Sequence, residues 1–154
     1  MDGVSRRRAM WMGSAVAVSF ALPRSVKATT GLPLIAAYRN PGCGCCEKWA
    51  EQLKLAGFPV TLEDDPNLDA HRARLGVPAE LAGCHTALVG DYIIEGHVPP
   101  GDILSLLTSR PKARGLAVPG MPTGSPGMET GGTADVFDVL VFTEAGDVQV
   151  YARH

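Results

Sequence analysis

The sequence predicts an α/β domain: a mixed sheet with flanking helices and an additional C-terminal hairpin. Three observations predict it. Short apolar runs alternate with segments of helical period. A two-residue turn, Gly90-Asp91, joins two strand-like runs as a β-hairpin. A second pair of apolar runs closes the chain around Glu144-Ala145-Gly146-Asp147. Taken in order, residues 33–38 (PLIAAY) form a short apolar run predicted to be a buried strand, which Asn40-Pro41-Gly42 breaks. Residues 45–56 then carry Trp49, Leu53 and Ala56 at helical spacing, and Gly57 stops that helix. Residues 58–62 alternate as a second strand. Asp64-Asp65-Pro66-Asn67 is a turn and cap for a short helix over 69–75. Residues 86–89 and 92–95 are the hairpin strands, and Pro100 and Asp102 open a helix through Ile103, Leu104, Leu106 and Leu107. The order is β-α-β-α-β-β-α. Residues 115–132 are so rich in Pro and Gly that they are expected to form a loop without a regular element, and long loops in compact domains tend to be functional or disordered. Residues 135–143 and 148–152 form the closing hairpin, expected to extend the sheet or to lie across its edge.

Residues 1–28 read as an address. Arg6-Arg7-Arg8 follow Ser5, residues 9–22 carry no charge, and Val26-Lys27-Ala28 offers small residues where a signal peptidase reads. The stretch Ser-Arg-Arg-Arg-Ala-Met-Trp has the pattern of a twin-arginine export signal. The apolar run has 14 residues, short of the roughly 18 that a spanning helix needs. A cleaved signal peptide is therefore expected, with an uncleaved anchor as the alternative. The mature domain is residues 29–154, expected in the periplasm with no membrane span after cleavage. It holds 9 Lys and Arg against 15 Asp and Glu, a net charge of −6. No basic patch offers the counterion release on which nucleic-acid binding rests, so no nucleic-acid partner is expected. Its 126 residues suffice for one core.

Chemistry concentrates in the cysteines. All four lie in the mature part, three of them in Cys43-Gly44-Cys45-Cys46 at the start of a helix, the fourth at Cys84. A helix N-terminus favours thiolate, which is both the nucleophile and the metal ligand. Three thiolates so close repel one another unless they are protonated, oxidised or neutralised by a cation. Three readings follow: a pair of structural disulfides, a thiol–disulfide oxidoreductase built on the C-x-x-C of Cys43 and Cys46, and a soft-metal site using all four sulfurs. Structural staples have little to do in a domain of this size, and one of the three pairings would join the adjacent Cys45 and Cys46.

Four blocks carry a resemblance: Pro41-Gly42-Cys43-Gly44-Cys45-Cys46-Glu47-Lys48-Trp49, Gly83-Cys84-His85-Thr86-Ala87, Glu95-Gly96-His97-Val98-Pro99 and Gly115-Leu116-Ala117-Val118-Pro119-Gly120-Met121-Pro122. Together they resemble the periplasmic CopG-type copper-resistance family, small exported metal-binding proteins with a C-x-C-C motif. The resemblance covers residues 33–128 and implies a thioredoxin-like fold with a copper(I) cluster, multinuclear and bridged by the sulfurs of Cys43, Cys45, Cys46 and Cys84. Residues from Asp135 onward lie outside it.

The residues themselves agree on Cys84. In thioredoxin-like folds the loop before the third strand usually ends in a proline that faces the C-x-x-C; here Cys84-His85 occupies that approach and no proline precedes Thr86. A peptide platform is thus replaced by a fourth sulfur, which weakens the oxidoreductase reading. The contracted cysteine spacing favours copper over the paired C-x₂-C hooks of zinc ribbons. Met121, Met128, His85 and His97 are further candidate donors, although a single methionine is more often a packing residue and a lone histidine more often a hydrogen-bonded one. His71, between charged neighbours, is expected in solvent; His154 is terminal, and Trp49 is expected in the core. The function expected is copper tolerance, by sequestering Cu(I), passing it to other periplasmic copper-handling proteins, or coupling its redox change to the thiolates. Enzymatic activity, as a copper or thiol oxidoreductase, stays open.

Overall fold

The computed structural model describes residues 31–154, so the signal peptide expected over residues 1–28 lies outside the described residues. Strand β1 (Ile35–Arg39) buries Ile35 and Ala37 at alternate positions, as the period of a strand requires. Helix α1 (Gly44–Leu55) buries Cys46, Trp49, Ala50 and Leu53, the i, i+3, i+4, i+7 stripe of one helix face. It crosses to β2 (Val60–Asp64), which pairs parallel with β1. Helix α2 (Leu68–Leu75) ends on Gly76 in the left-handed conformation at φ 76°, where glycine carries no steric penalty. A 3₁₀ turn, Ala79–Leu81, leads into β3 (His85–Val89), antiparallel to β1, and β4 (Tyr92–Gly96) returns antiparallel to β3. Helix α3 (Pro100–Ser109) follows, with Ile103 and Leu106 buried.

The chain then departs from the loop expected over 115–132. Residues Gly115–Val118 form β5, fully buried, parallel to β4 and antiparallel to β6. The Pro and Gly density of the whole stretch masks the apolar Leu116-Ala117-Val118 at its start. Gly115 is itself required by close approach, since a Cβ there would collide with the carbonyl of Ile93. The closing hairpin, β6 (Asp138–Phe142) and β7 (Val148–Arg153), extends the sheet through β5 rather than lying across its edge. One mixed sheet results, in the order β2-β1-β3-β4-β5-β6-β7.

Side chains alternate between the two faces. One core gathers Ile35, Trp49, Leu53, Ile94, Ile103, Leu106 and Leu116, which places α1 and α3 on the same face. The other gathers Val77, Leu81, Ile93, Ala117 and Phe142 beneath the end of α2 and the 3₁₀ turn. No helix among the described residues is long and apolar enough to cross a membrane.

Candidate metal centre

The site forms where three elements meet at one end of the sheet. After β1 the chain reverses through Gly42 at φ 77°, and the Cys43 N–H donates to the Asn40 carbonyl at 3.2 Å. Cys43 caps α1, and Cys45 and Cys46 lie in its first turn. Cys84 arrives from the opposite side: the pairing of Arg39 with His85 delivers the residue just before β3 to the same end as the mouth of α1. Arg39 ties the rim together, donating to the Cys43 carbonyl at 2.9 Å and to the carboxylates of Glu47 and Asp64 at 2.7 Å each.

All four sulfurs predicted from the sequence are brought together. Cys43 and Cys46 are joined as a disulfide, whereas Cys45 and Cys84 are free. The Cys45 sulfur lies 3.4 Å from Cys43 and 3.8 Å from Cys84, and the Cys46 sulfur lies 3.4 Å from Cys84. The four Sγ atoms fall within 4.8 Å of one another. Crowding of thiolates is relieved here in two ways at once. One pair is oxidised, and the Cys84 thiol is pushed up to about 12, chiefly by burial and then by the neighbouring Cys45, so it keeps its proton. Two structural disulfides are not present among the described residues; the single bond uses the C-x-x-C pair.

Two histidines complete the wall. His97 Nδ1 lies 2.7 Å from the Pro126 carbonyl, which can only accept, so Nδ1 carries the proton. Nε2 therefore turns a bare lone pair to the Cys84 sulfur, 2.9 Å away. A backbone carbonyl holding one ring nitrogen so that the other faces a metal position is the usual support of a ligating histidine. His85 Nδ1 lies 3.5 Å from the same sulfur, and its buried Nε2 has no protein partner. Burial, and then the proximity of His97, lowers His85 to about 3; burial also lowers His97. Both rings are thus neutral near pH 7. Cys84, His85 and His97 form a second group of donor atoms within 4.8 Å. The His85 ring packs on Trp49, centroids 4.0 Å apart, and the Trp49 indole N–H donates to the Val98 carbonyl at 3.0 Å.

The irregular segment after β5 straps the first turns of α1. Gly127, at φ 87°, comes so close that a Cβ would meet the Cys45 carbonyl oxygen at 2.7 Å and the Trp49 nitrogen at 2.8 Å. Glu129 secures it by accepting from Gln52 at 2.6 Å. Met121 is 56% exposed and lines a cleft of about 270 Å³ with Asn40, Gly83 and Cys84. Met128 sits half-buried in the strap, its N–H donating to Ser125 at 2.8 Å. His71, expected in solvent, is instead half-buried, held by Asp65 at 2.9 Å and packed on Tyr38. Asp65 supplies the reason, because its carboxylate turns back over α2. His154 pairs with Asp102 at 2.7 Å, away from the sulfurs. Sequence reasoning missed Arg72 and Glu95, a buried ion pair behind Cys84. The charged Glu95 inside the apolar run Tyr92-Ile93-Ile94 was the available signal.

Comparison with known proteins is consistent with this geometry. Residues 81–128 match a family described as a protein of unknown function, DUF411. Two solved structures, described as copper resistance protein copG in forms 1 and 2, are each 41% identical to the chain. Each match has a TM-score of 0.76 and covers 80% of this chain and 98% of the other. No curated protein matches.

Proposed function

The chain belongs to the CopG copper-resistance family, and on that premise we propose that it is an exported copper(I)-binding protein serving copper tolerance. The observation that carries the reading is the convergence of four sulfurs from two separate elements within 4.8 Å. Soft thiolate suits Cu(I), and sulfurs so placed can bridge several ions instead of surrounding one. Cys43, Cys45 and Cys46 supply sulfur from one turn, and Cys84 supplies it from across the cleft. His97 Nε2 and His85 are the nitrogen donors within reach, and Met121 stands at the open side as a thioether. Loading requires the Cys43–Cys46 bond to be reduced, by two electrons and two protons, and each thiol to give up its proton to solvent. Burial holds the proton on Cys84, so copper binding there releases a proton and is favoured as pH rises.

The order β2-β1-β3-β4, with β3 antiparallel to the rest and α1 crossing between parallel β1 and β2, supports a thioredoxin-like assignment for this half of the sheet. The basic and apolar pattern of residues 1–28 supports export to the periplasm, where other copper-handling proteins would be the partners. A second reading, an exported thiol–disulfide oxidoreductase, is favoured by one observation: the bond joins Cys43 to Cys46, the pair such an enzyme would use.

Cys45 and Cys84 separate the two readings. Anaerobic Cu(I) titration of the reduced protein, with thiols counted, is expected to give more than one copper per chain. Cys45→Ser is expected to abolish that stoichiometry, and Cys84→Ser to weaken Cu(I) against a competing chelator by about tenfold or more, equivalent to ~1.4 kcal/mol. A redox enzyme needs neither residue. Unchanged copper uptake in both variants, beside disulfide reductase activity in the wild type, would replace the copper reading with the redox one.

A further inference from the structure

Behind Cys84 lies a polar network that the sulfur chemistry does not use. Glu95, on β4, is fully buried, and Arg72, on α2, is 5% exposed. Arg72 Nε lies 2.9 Å from Glu95 Oε1. That carboxylate reaches both flanks of Cys84. Oε1 accepts from the Gly83 N–H at 2.7 Å, and Oε2 accepts from the Thr86 hydroxyl at 2.6 Å. Arg72 closes the frame from the other side, donating from Nη2 to the Gly83 carbonyl at 2.8 Å and from Nε to the Thr86 hydroxyl at 3.3 Å. Both backbone polar groups of Gly83 are therefore held by the two members of one buried ion pair. Gly83 also rests directly on β4: a Cβ there would meet the Gly96 Cα at 2.7 Å.

A buried ion pair is weak evidence for stability, because desolvating two charges offsets most of their attraction. A fully satisfied one does fix geometry, since each member has its partners in a single arrangement. We propose that the Arg72–Glu95 pair positions Cys84, clamping residues 83 and 86 so that the sulfur between them stands over Cys45 and Cys46. Neither side chain touches the sulfur, so both are positioning residues. The proposal rests on the copper reading only for its affinity readout; the placement itself is read without metal.

Arg72→Lys keeps the charge opposite Glu95 but cannot also span to the Gly83 carbonyl. Thr86→Val removes one flank at constant shape and leaves the ion pair whole, so it serves if Arg72→Lys fails to fold. Both are made in a Cys43→Ser/Cys46→Ser background, in which Cys45 and Cys84 can pair only with each other. Diamide, accepting two electrons and two protons, then drives the Cys45–Cys84 bond, and its rate reads the sulfurs' juxtaposition. The rate is expected to fall about tenfold or more, while alkylation of Cys45 by iodoacetamide stays unchanged. An unchanged rate in both variants overturns the proposal.

Cu(I) competition supplies the second arm, with all four cysteines present. Arg72→Lys is expected to weaken copper about tenfold, and to have no further effect once Cys84→Ser is present. Where Cys84→Ser itself weakens copper, equal weakening by Arg72→Lys in both backgrounds means a general structural role and also overturns the proposal. A slowed diamide reaction beside copper affinity that ignores Cys84→Ser sustains the positioning role and removes Cys84 from the copper reading instead.

Discussion

The two halves of the sheet bury different things. From β1 to α3 the interior takes in Arg72, His85, Thr86, Glu95 and His97, each with groups around it that fix its orientation. From β5 to the C-terminus, Ser125 is the polar residue that is buried, and the strands contribute Leu116, Ala117, Val118, Val139 and Phe142. The first half therefore accepts the desolvation of polar groups in order to hold donor atoms in place. The second covers the sheet with apolar surface and sends one strap back to the site, where the Pro126 carbonyl orients His97. Polar burial without a ligand to serve would be a poor use of a core, because each such group demands a partner. The contrast is itself an argument that the first half was built around chemistry.

The largest effect expected from testing this contrast falls on Trp49. Its ring is wholly buried, packs on His85, and anchors α1 through the Val98 carbonyl. Trp49→Ala removes core and site support together and should lower stability by about 3–5 kcal/mol. Urea denaturation followed by circular dichroism measures it. A loss under about 1 kcal/mol would show that the two cores do not depend on the helix that carries the sulfurs.

A smaller effect, with a definite sign, comes from His85. Its ordinary value is 6.5 and burial lowers it to about 3 in the folded protein. Between those values the unfolded chain takes up a proton that the folded chain refuses. Stability is therefore complete above about pH 6.5 and falls as pH drops below it, by about 1.4 kcal/mol per unit for the one group. His97, lowered too, adds in the same direction; Glu95, pushed up by burial, opposes both at lower pH. Denaturation of the metal-free protein between pH 7 and pH 5 should show the slope, and His85→Phe should flatten it by about one proton. An identical slope in that variant would assign the acid sensitivity elsewhere.

Legibility in the sequence cuts across that division. Elements β1 to α3 were readable because each is short and bounded by turn residues, as with Asn40-Pro41-Gly42 and Gly90-Asp91, and the closing hairpin because its apolar runs flank Glu144-Ala145-Gly146-Asp147. The strand at Gly115–Val118 was not, since its pairing with β4 and β6 is long-range and its neighbours are Pro and Gly. The sulfurs stood out because three cysteines in four residues are chemically crowded in any fold. The disulfide between Cys43 and Cys46 was one of the alternatives that crowding left open. The orientation of His97 was out of reach, because it depends on a carbonyl 29 residues further along the chain. Glu95 lay in a correctly expected strand yet had no assigned role, since its partner Arg72 comes from another layer.

The smallest effect belongs at the far edge of the second half. Strand β7 is the last in the sheet, and Val150 on it is 53% exposed. Its backbone pairs with Leu140 on β6, next to the register shift between Val139 and Leu140. Val150→Thr keeps the branched shape that suits a strand, loses one exposed methyl, and should change stability by less than about 0.5 kcal/mol. Copper affinity should not change at all, because β7 is separated from β4 by two strands and contributes no donor to the sulfur site. Measuring both on one protein makes the comparison sharp: a variant silent in stability but altered in Cu(I) competition would mean that the edge communicates with the site through β5 and the strap. The division between a half that holds chemistry and a half that covers it would then have to be redrawn.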